Sequence, residues 1–139
     1  MNVSSYDRRA GRLDLVRQVI TFLFVGGFAT ALHYAVMFAL VYVLGWHPVP
    51  ASTTGFITSA VVNFALNARF TFRSTRSVLH TAPRFAIVAA SGLLLNRYML
   101  ALLLSLGAHV LVGQLVATLC VLTWNYIINA LWTFRAKKS

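Results

Sequence analysis

The sequence predicts an all-α integral membrane protein, with four transmembrane helices forming two parallel-orientation helical-hairpin repeats and both termini on the cytoplasmic side (N-in/C-in). Three observations predict it. Four apolar stretches are each long enough to cross a bilayer, charge other than Arg97 is confined to their ends and to the segments between and beyond them, and the second half of the chain repeats the first. Of 139 residues, 59% are hydrophobic and only 10% charged, too little charge to clothe a soluble domain of this length. No charged residue occurs between Arg17 and Arg69, or between Arg97 and Arg135.

An α-helix rises about 1.5 Å per residue and the hydrocarbon core is about 30 Å thick, so roughly 20 apolar residues span it. A basic tail, residues 1–18, comes first, followed by a helix over about Val19 to Leu44. The break Gly45-Trp46-His47-Pro48-Val49-Pro50 ends that helix with two prolines and an interfacial tryptophan. The second helix runs over about Ala51 to Phe72, and residues 73–83 read as a basic loop with Pro83 suited to the first turn of the third helix. That third helix covers about Arg84 to Leu106. After the uncharged turn Gly107-Ala108-His109, the fourth covers about Val110 to Phe134, and residues 135–139 form a basic tail.

Basic residues cluster at 8–17, 69–84 and 135–138, while the two short turns carry no Lys or Arg. The positive-inside rule puts the clusters, and both termini, in the cytoplasm against anionic lipid headgroups. A net charge of +10 also suits nucleic acid, but its position beside apolar runs argues for a membrane and for no nucleic-acid partner. The first apolar stretch is far longer than a signal-peptide core and should remain as a membrane helix. Cys120 is the single cysteine, so no intrachain disulfide forms. Four short helices make a thin bundle, and a homo-oligomer is expected.

The repeat is the most informative feature. Asn63-Phe64-Ala65-Leu66-Asn67-Ala68-Arg69-Phe70-Thr71-Phe72-Arg73 closes the second helix, and Asn125-Tyr126-Ile127-Ile128-Asn129-Ala130-Leu131-Trp132-Thr133-Phe134-Arg135 closes the fourth. The same shift pairs Leu44, Gly45 and His47 with Leu106, Gly107 and His109. With one gap it also aligns His33 with Asn96. Each half is thus one hairpin, and an even number of spans per half gives the halves one orientation, related by an axis along the membrane normal.

Polar side chains in hydrocarbon are costly unless paired, so their positions are candidate sites. Ser52, Ser59, Asn63 and Asn67 share one face of the second helix, and Gln114, Thr118, Asn125 and Asn129 share one face of the fourth. Two readings stand open for these amides. They are interhelical glue, worth about 1 kcal/mol each, or they continue to Arg69, Arg73 and Arg135, whose guanidinium forks suit phosphate. His33 with Tyr34, and Arg97 with Asn96, fall near mid-membrane by residue count. A guanidinium there costs about 3 kcal/mol on insertion scales and calls for a cavity or a partner, unless it snorkels to the nearer interface.

Asp7 and Asp14 are the only acidic residues, and both precede the first span. No membrane carboxylate exists to couple protons or bind a cation, which disfavours a small-solute or drug exporter. Arg97 is left with an anionic substrate as its natural counter-charge. Paired carboxylates are absent, so an enzyme is not expected and no catalytic residue is assigned. His47 and His109 lie in the outer turns without Cys or acidic neighbours and read as interfacial, with no metal and no cofactor.

The opening Phe24-Val25-Gly26-Gly27-Phe28-Ala29-Thr30-Ala31-Leu32-His33, the run Val62 to Arg73 and its echo at Asn125 to Arg135 resemble the GtrA-like family of four-helix bacterial membrane proteins. The resemblance covers nearly the whole chain beyond the basic tail. It implies a flippase for polyprenyl-phosphate-linked sugars in the bacterial cytoplasmic membrane, serving polysaccharide biosynthesis. The alternative it carries is a non-transporting anchor for a membrane glycosyltransferase. Asn63, Asn67, Arg69, Arg73, Asn125, Asn129 and Arg135 match the family motif and become the candidates for binding the phosphate and sugar. His33, Tyr34, Ser59, Asn96, Arg97, Gln114 and Thr118 are the candidate polar path through the membrane. Leu131 stands where the first half has Arg69, so the halves are not equivalent. Arg97 lies outside the motif and rests on the physics of charge in hydrocarbon.

Overall fold

A computed structural model describes residues 3–70 and 75–136. It contains α1 (Val3–Phe38), a π-helical turn (Ala39–Val43), α2 (Pro48–Phe70), α3 (Thr75–Ser105) and α4 (Val110–Ala136). Each helix includes a stretch long and apolar enough to cross a membrane. α1 packs on α2, α3 packs on α4, and α2 meets α3 to join the hairpins. The end carrying the two short turns is called the turn end, and the opposite one the loop end.

Three boundaries differ from the sequence reading, the smallest being that of α2, which begins at Pro48 rather than Ala51. α1 takes in the basic tail from Val3, and α3 begins at Thr75, so Pro83 lies inside a helix rather than in its first turn. Arginine is a good helix former, and a helix leaving the membrane still satisfies its own backbone. Thr75 to Ala82 contain neither Gly nor Pro, so nothing there opposes continuation, and the helix continues through Pro83 although that residue removes one backbone bond and crowds the carbonyl four residues before it.

The buried apolar core is small. Met37, Val49, Ala51, Leu100 and Ala117 form it, whereas Phe24 is 77% exposed, Val43 78% and Tyr126 77%. An apolar exterior of this extent is suited to lipid rather than to water.

The gap in the repeat has a structural cause. Gly45 follows His33 by twelve residues and Gly107 follows Asn96 by eleven, and the π turn at Ala39–Val43 absorbs the extra residue, with Leu44 N–H donating to the Ala39 carbonyl at 3.2 Å. A π turn does this by closing i→i+5 bonds in place of i→i+4. Both hairpins then turn on a left-handed glycine, Gly45 at φ 69° and Gly107 at φ 87°. At the second, Ala108 N–H reaches the Leu103 carbonyl and Gly107 N–H the Leu104 carbonyl, each at 3.0 Å, the double bond of a Schellman cap. Gly107→Ala should therefore cost about 1–2 kcal/mol, read as a lower thermal midpoint of the detergent-solubilised protein.

His47 and His109 cap α2 and α4 respectively. Val49 N–H donates to His47 Nδ1 at 3.3 Å, and Leu111 N–H donates to His109 Nδ1 at 3.2 Å. The backbone carbonyls of the same two histidines accept the next helical bonds, from Ala51 and Gly113. Each imidazole thus fills the role usually taken by Ser, Thr, Asp or Asn, a more definite part than the interfacial one read from sequence.

Candidate functional site

The two halves bury equivalent positions. α1 turns Ala29, His33 and Met37 inward and α3 turns Gly92, Asn96 and Leu100 inward, both at intervals of four residues. α2 buries Ala51, Ser52, Gly55 and Ser59, matched on α4 by Gly113, Gln114, Ala117 and Val121. A Cβ at Gly55 would stand 2.6 Å from the His33 carbonyl oxygen and 2.8 Å from its ring Cδ2. That contact is with backbone and cannot swing away, so only glycine lets α1 and α2 approach here. Gly55→Ala should destabilise by about 1–3 kcal/mol although alanine is the better helix former, a sign reversal that a thermal melt would show.

At this crossing one polar side chain from each helix converges. Ser52 Oγ donates to Gln114 Oε1 at 2.6 Å, Asn96 Nδ2 donates to Ser52 Oγ at 2.9 Å, and Gln114 Nε2 donates to Asn96 Oδ1 at 2.9 Å. His33 Nε2 lies 3.2 Å from Ser52 Oγ. The serine proton is committed to Gln114, so His33 joins this closed ring by donating from Nε2. Exposure is 0% for Ser52 and Gln114, 1% for Asn96 and 5% for His33. Ser52 and Gln114 occupy equivalent positions in the two halves, and so do His33 and Asn96. The four form a closed knot close to the axis that relates the hairpins.

The knot extends to Thr118 and Tyr34. Gln114 Nε2 also reaches Thr118 Oγ1 at 3.2 Å, and Tyr34 Oη lies 2.7 Å from that oxygen and 3.3 Å from the Gln114 carbonyl. Ser52 and Gln114 stand four residues inside α2 and α4, about 6 Å from the turn end. His33 is ten residues before the end of the π turn, about 15 Å. The knot therefore lies toward the turn end of the bundle, where α1 and α3 overrun α2 and α4.

Arg97 does not join it. The residue is exposed, and its guanidinium donates to Thr53 Oγ1 at 3.2 Å. Thr53 in turn donates to the Val49 carbonyl of its own helix at 2.9 Å. The sequence singled out His33 and Arg97 together, but the structure turns one inward and the other outward.

At the loop end the asparagines bond along their own helices. Asn67 Nδ2 donates to the Asn63 carbonyl at 3.0 Å and to Asn63 Oδ1 at 2.7 Å, and Asn129 Nδ2 donates to the Asn125 carbonyl at 2.8 Å. Arg84, outside the sequence-derived set, donates to Asn129 Oδ1 at 2.9 Å and stacks over the Trp132 ring at 5.0 Å. Arg69 is exposed, 5.8 Å from the Phe70 ring. Arg73 and the side chain of Arg135 lie outside the described residues. Ser59, between the two clusters, donates to the Phe56 carbonyl of its own helix at 3.0 Å. Among the described residues, the polar side chains of the stripe gather in two clusters, one at each end. Thr53 and Arg84 are the residues the sequence reading missed; Ser52 was read on the polar face of the second helix but left out of the candidate path, although the shift that pairs it with Gln114 was the available signal.

Fold and site together define a small multi-pass membrane protein made of two duplicated hairpins, tied at their crossing by a buried polar knot. The chain belongs to the family described as GtrA/DPMS, transmembrane domain, which it matches over residues 21–134. The resemblance carried by the asparagine motif and the opening of the first span is borne out at that level. The chain is also 25% identical over 130 residues, 90% of each chain, to the cell wall teichoic acid glycosylation protein GtcA of Listeria monocytogenes.

Proposed function

We propose that this protein is a flippase that carries a polyprenyl-phosphate-linked sugar between leaflets, supplying the glycosylation of a cell-surface polysaccharide. The family supports the reading, as does a relative named for cell-wall glycosylation. The observation that carries it is a pair of exposed cations at different levels of the bundle. Arg69 stands at the loop end of α2, and Arg97 stands in the turn-side half of α3. The only two acidic residues of the chain are far from both in sequence.

On this reading residues 19–72 and 84–134 are the two hairpin repeats, the basic segments lie in the cytoplasm, and the membrane is the bacterial inner membrane. The phosphate is captured at Arg69 and Arg73 with the sugar against Asn63 and Asn67, and Asn125, Asn129 and Arg135 line the equivalent end of the other half. The isoprenoid tail stays within the hydrocarbon layer throughout, and no bond is made or broken. A phosphate in bare hydrocarbon faces a barrier of several kcal/mol or more, and a guanidinium part-way across lowers it by offering two directed donors at depth. Because the knot is closed, the head group travels along the outside of the bundle rather than between its four helices.

The closed knot also favours a second reading, a non-transporting anchor for a membrane glycosyltransferase, since Ser52, Asn96 and Gln114 bond to one another without a substrate. Reconstitution separates the two. Purified protein in liposomes should expose a labelled polyprenyl-phosphate sugar to the opposite leaflet, and Asn63→Ala should lose most of that rate while Leu122→Ala on the outer face of α4 keeps it. A wild-type protein that moves no lipid but co-purifies with a glycosyltransferase would establish the anchor instead.

A further inference from the structure

α2 and α3 run antiparallel past one another, and their register can be read from the contacts between them. Arg97 meets Thr53. At the loop end Phe85 meets Phe64 with ring centroids 5.1 Å apart, and the register between these two contacts sets Leu93 level with Ile57 and Ala89 and Ala90 level with Ala60 and Val61, all of which line one trough. Between the helices lies an open trough of about 410 Å³ floored by alanines and walled by Phe56, Phe64 and Phe85. Its lining is almost wholly apolar. The guanidinium of Arg97 therefore stands one helical turn beyond the turn-side end of a hydrocarbon-lined channel.

We infer that this trough seats the hydrocarbon chain of an isoprenoid phosphate, with Arg97 and Thr53 holding the phosphate at its turn-side end. The inference rests on the flippase reading and names the place where the lipid sits. Charge complementarity selects an anionic head, because Arg97 is exposed and bonded only to a neutral hydroxyl among the described residues. Length selects a long chain. Thr53 lies five residues inside α2, about 8 Å from the turn end, and the trough runs eleven residues from Leu93 to Ala82, about 16 Å further. The seat thus passes the bilayer midplane at about 15 Å, where a chain confined to one leaflet would leave its lower part empty. Methyl-branched isoprene units suit a channel whose floor is cut back to alanine.

The site is single. The repeat places Tyr34 where the second half has Arg97, and Tyr34 is turned onto Thr118 and the Gln114 carbonyl of α4. One side of the duplicated bundle carries a satisfied phenol, and the other an exposed cation above an open trough.

The full-length protein in nanodiscs, given a photoactivatable diazirine polyisoprenyl phosphate, tests this directly. Adducts mapped by mass spectrometry should concentrate on α2 and α3 peptides spanning 56–64 and 82–93. Ala89→Trp, which fills the trough, and Arg97→Gln should each reduce that labelling by about tenfold, and the uncharged polyisoprenol should label at the level of Arg97→Gln. Adducts spread evenly over all four helices in the wild-type protein would overturn the proposal without recourse to any variant. Displacement by an equal amount of phosphatidylglycerol would show a general anionic-lipid surface, and displacement by a second copy of the chain a dimer interface; either overturns it too. Transport measured in parallel separates this claim from the one beneath it. Wild-type rates in Ala89→Trp would remove the trough and leave the flippase, whereas a labelled trough in a wild-type protein that moves no lipid would remove the flippase and leave the trough.

Discussion

Gln114→Ala should be the most destabilising single substitution in the chain. Gln114 holds three partners at once: it accepts from Ser52, donates to Asn96 and donates to Thr118. Truncation leaves the Asn96 carbonyl oxygen and the Ser52 hydroxyl unmatched at positions with 1% and 0% exposure, where no water arrives to replace the lost partner. An orphaned buried group costs about 1–3 kcal/mol, although interhelical hydrogen bonds measured in membranes average nearer 0.6 kcal/mol. The vacated side-chain volume adds a cavity term. A loss of roughly 3–5 kcal/mol is expected, read by unfolding titration in bicelles. The double variant Ser52→Ala with Gln114→Leu should be less damaging than the sum of its parts, since an apolar pair leaves fewer orphans. A Gln114→Ala protein within 1 kcal/mol of wild type would show that the hairpins are held by packing alone and that the knot contributes nothing to their pairing.

The knot also shows where sequence reasoning stops. Four spans, two hairpins and their duplication are legible because hydropathy over about 20 residues and a repeated asparagine motif are one-dimensional signals. Which polar residues meet is a three-dimensional fact. Ser52 and Gln114 are related by the repeat shift, yet only the crossing of α2 with α4 near the axis brings them to 2.6 Å. The sequence allowed glue or a path for the amides, and the structure places Ser52, Asn96 and Gln114 in a closed ring. The gap between His33 and Gly45 was visible as an alignment defect and became intelligible only as a π turn. The helical start at Thr75 was hidden because polar, basic residues read as loop by composition, although a helix needs no apolar face once it leaves the bilayer. Arg97 was legible as an anomaly of depth, but its outward direction was not, because Asn96 and Arg97 are adjacent and hydropathy alone does not say which of two polar neighbours turns inward.

Arg97→Leu should separate stability from function by moving them in opposite directions. A central arginine costs about 2.5–3.5 kcal/mol on insertion scales and less toward a helix end, so leucine at this position should hold or raise the thermal midpoint. The structure supplies no opposing penalty, because Thr53 keeps its bond to the Val49 carbonyl when Arg97 is gone and no buried group is orphaned. Transport should nevertheless fall by roughly a hundredfold, the effect of losing about 2.7 kcal/mol of stabilisation from the crossing phosphate. Arg97→Lys keeps the charge but not the planar two-donor fork, and should retain an intermediate rate. A residue whose removal makes the protein more stable and less active is one that the fold does not need, and its cost in hydrocarbon is then offset by what it binds. Wild-type transport in Arg97→Leu would mean instead that this arginine only snorkels to the headgroups, and that no phosphate is held on the exposed side of α3.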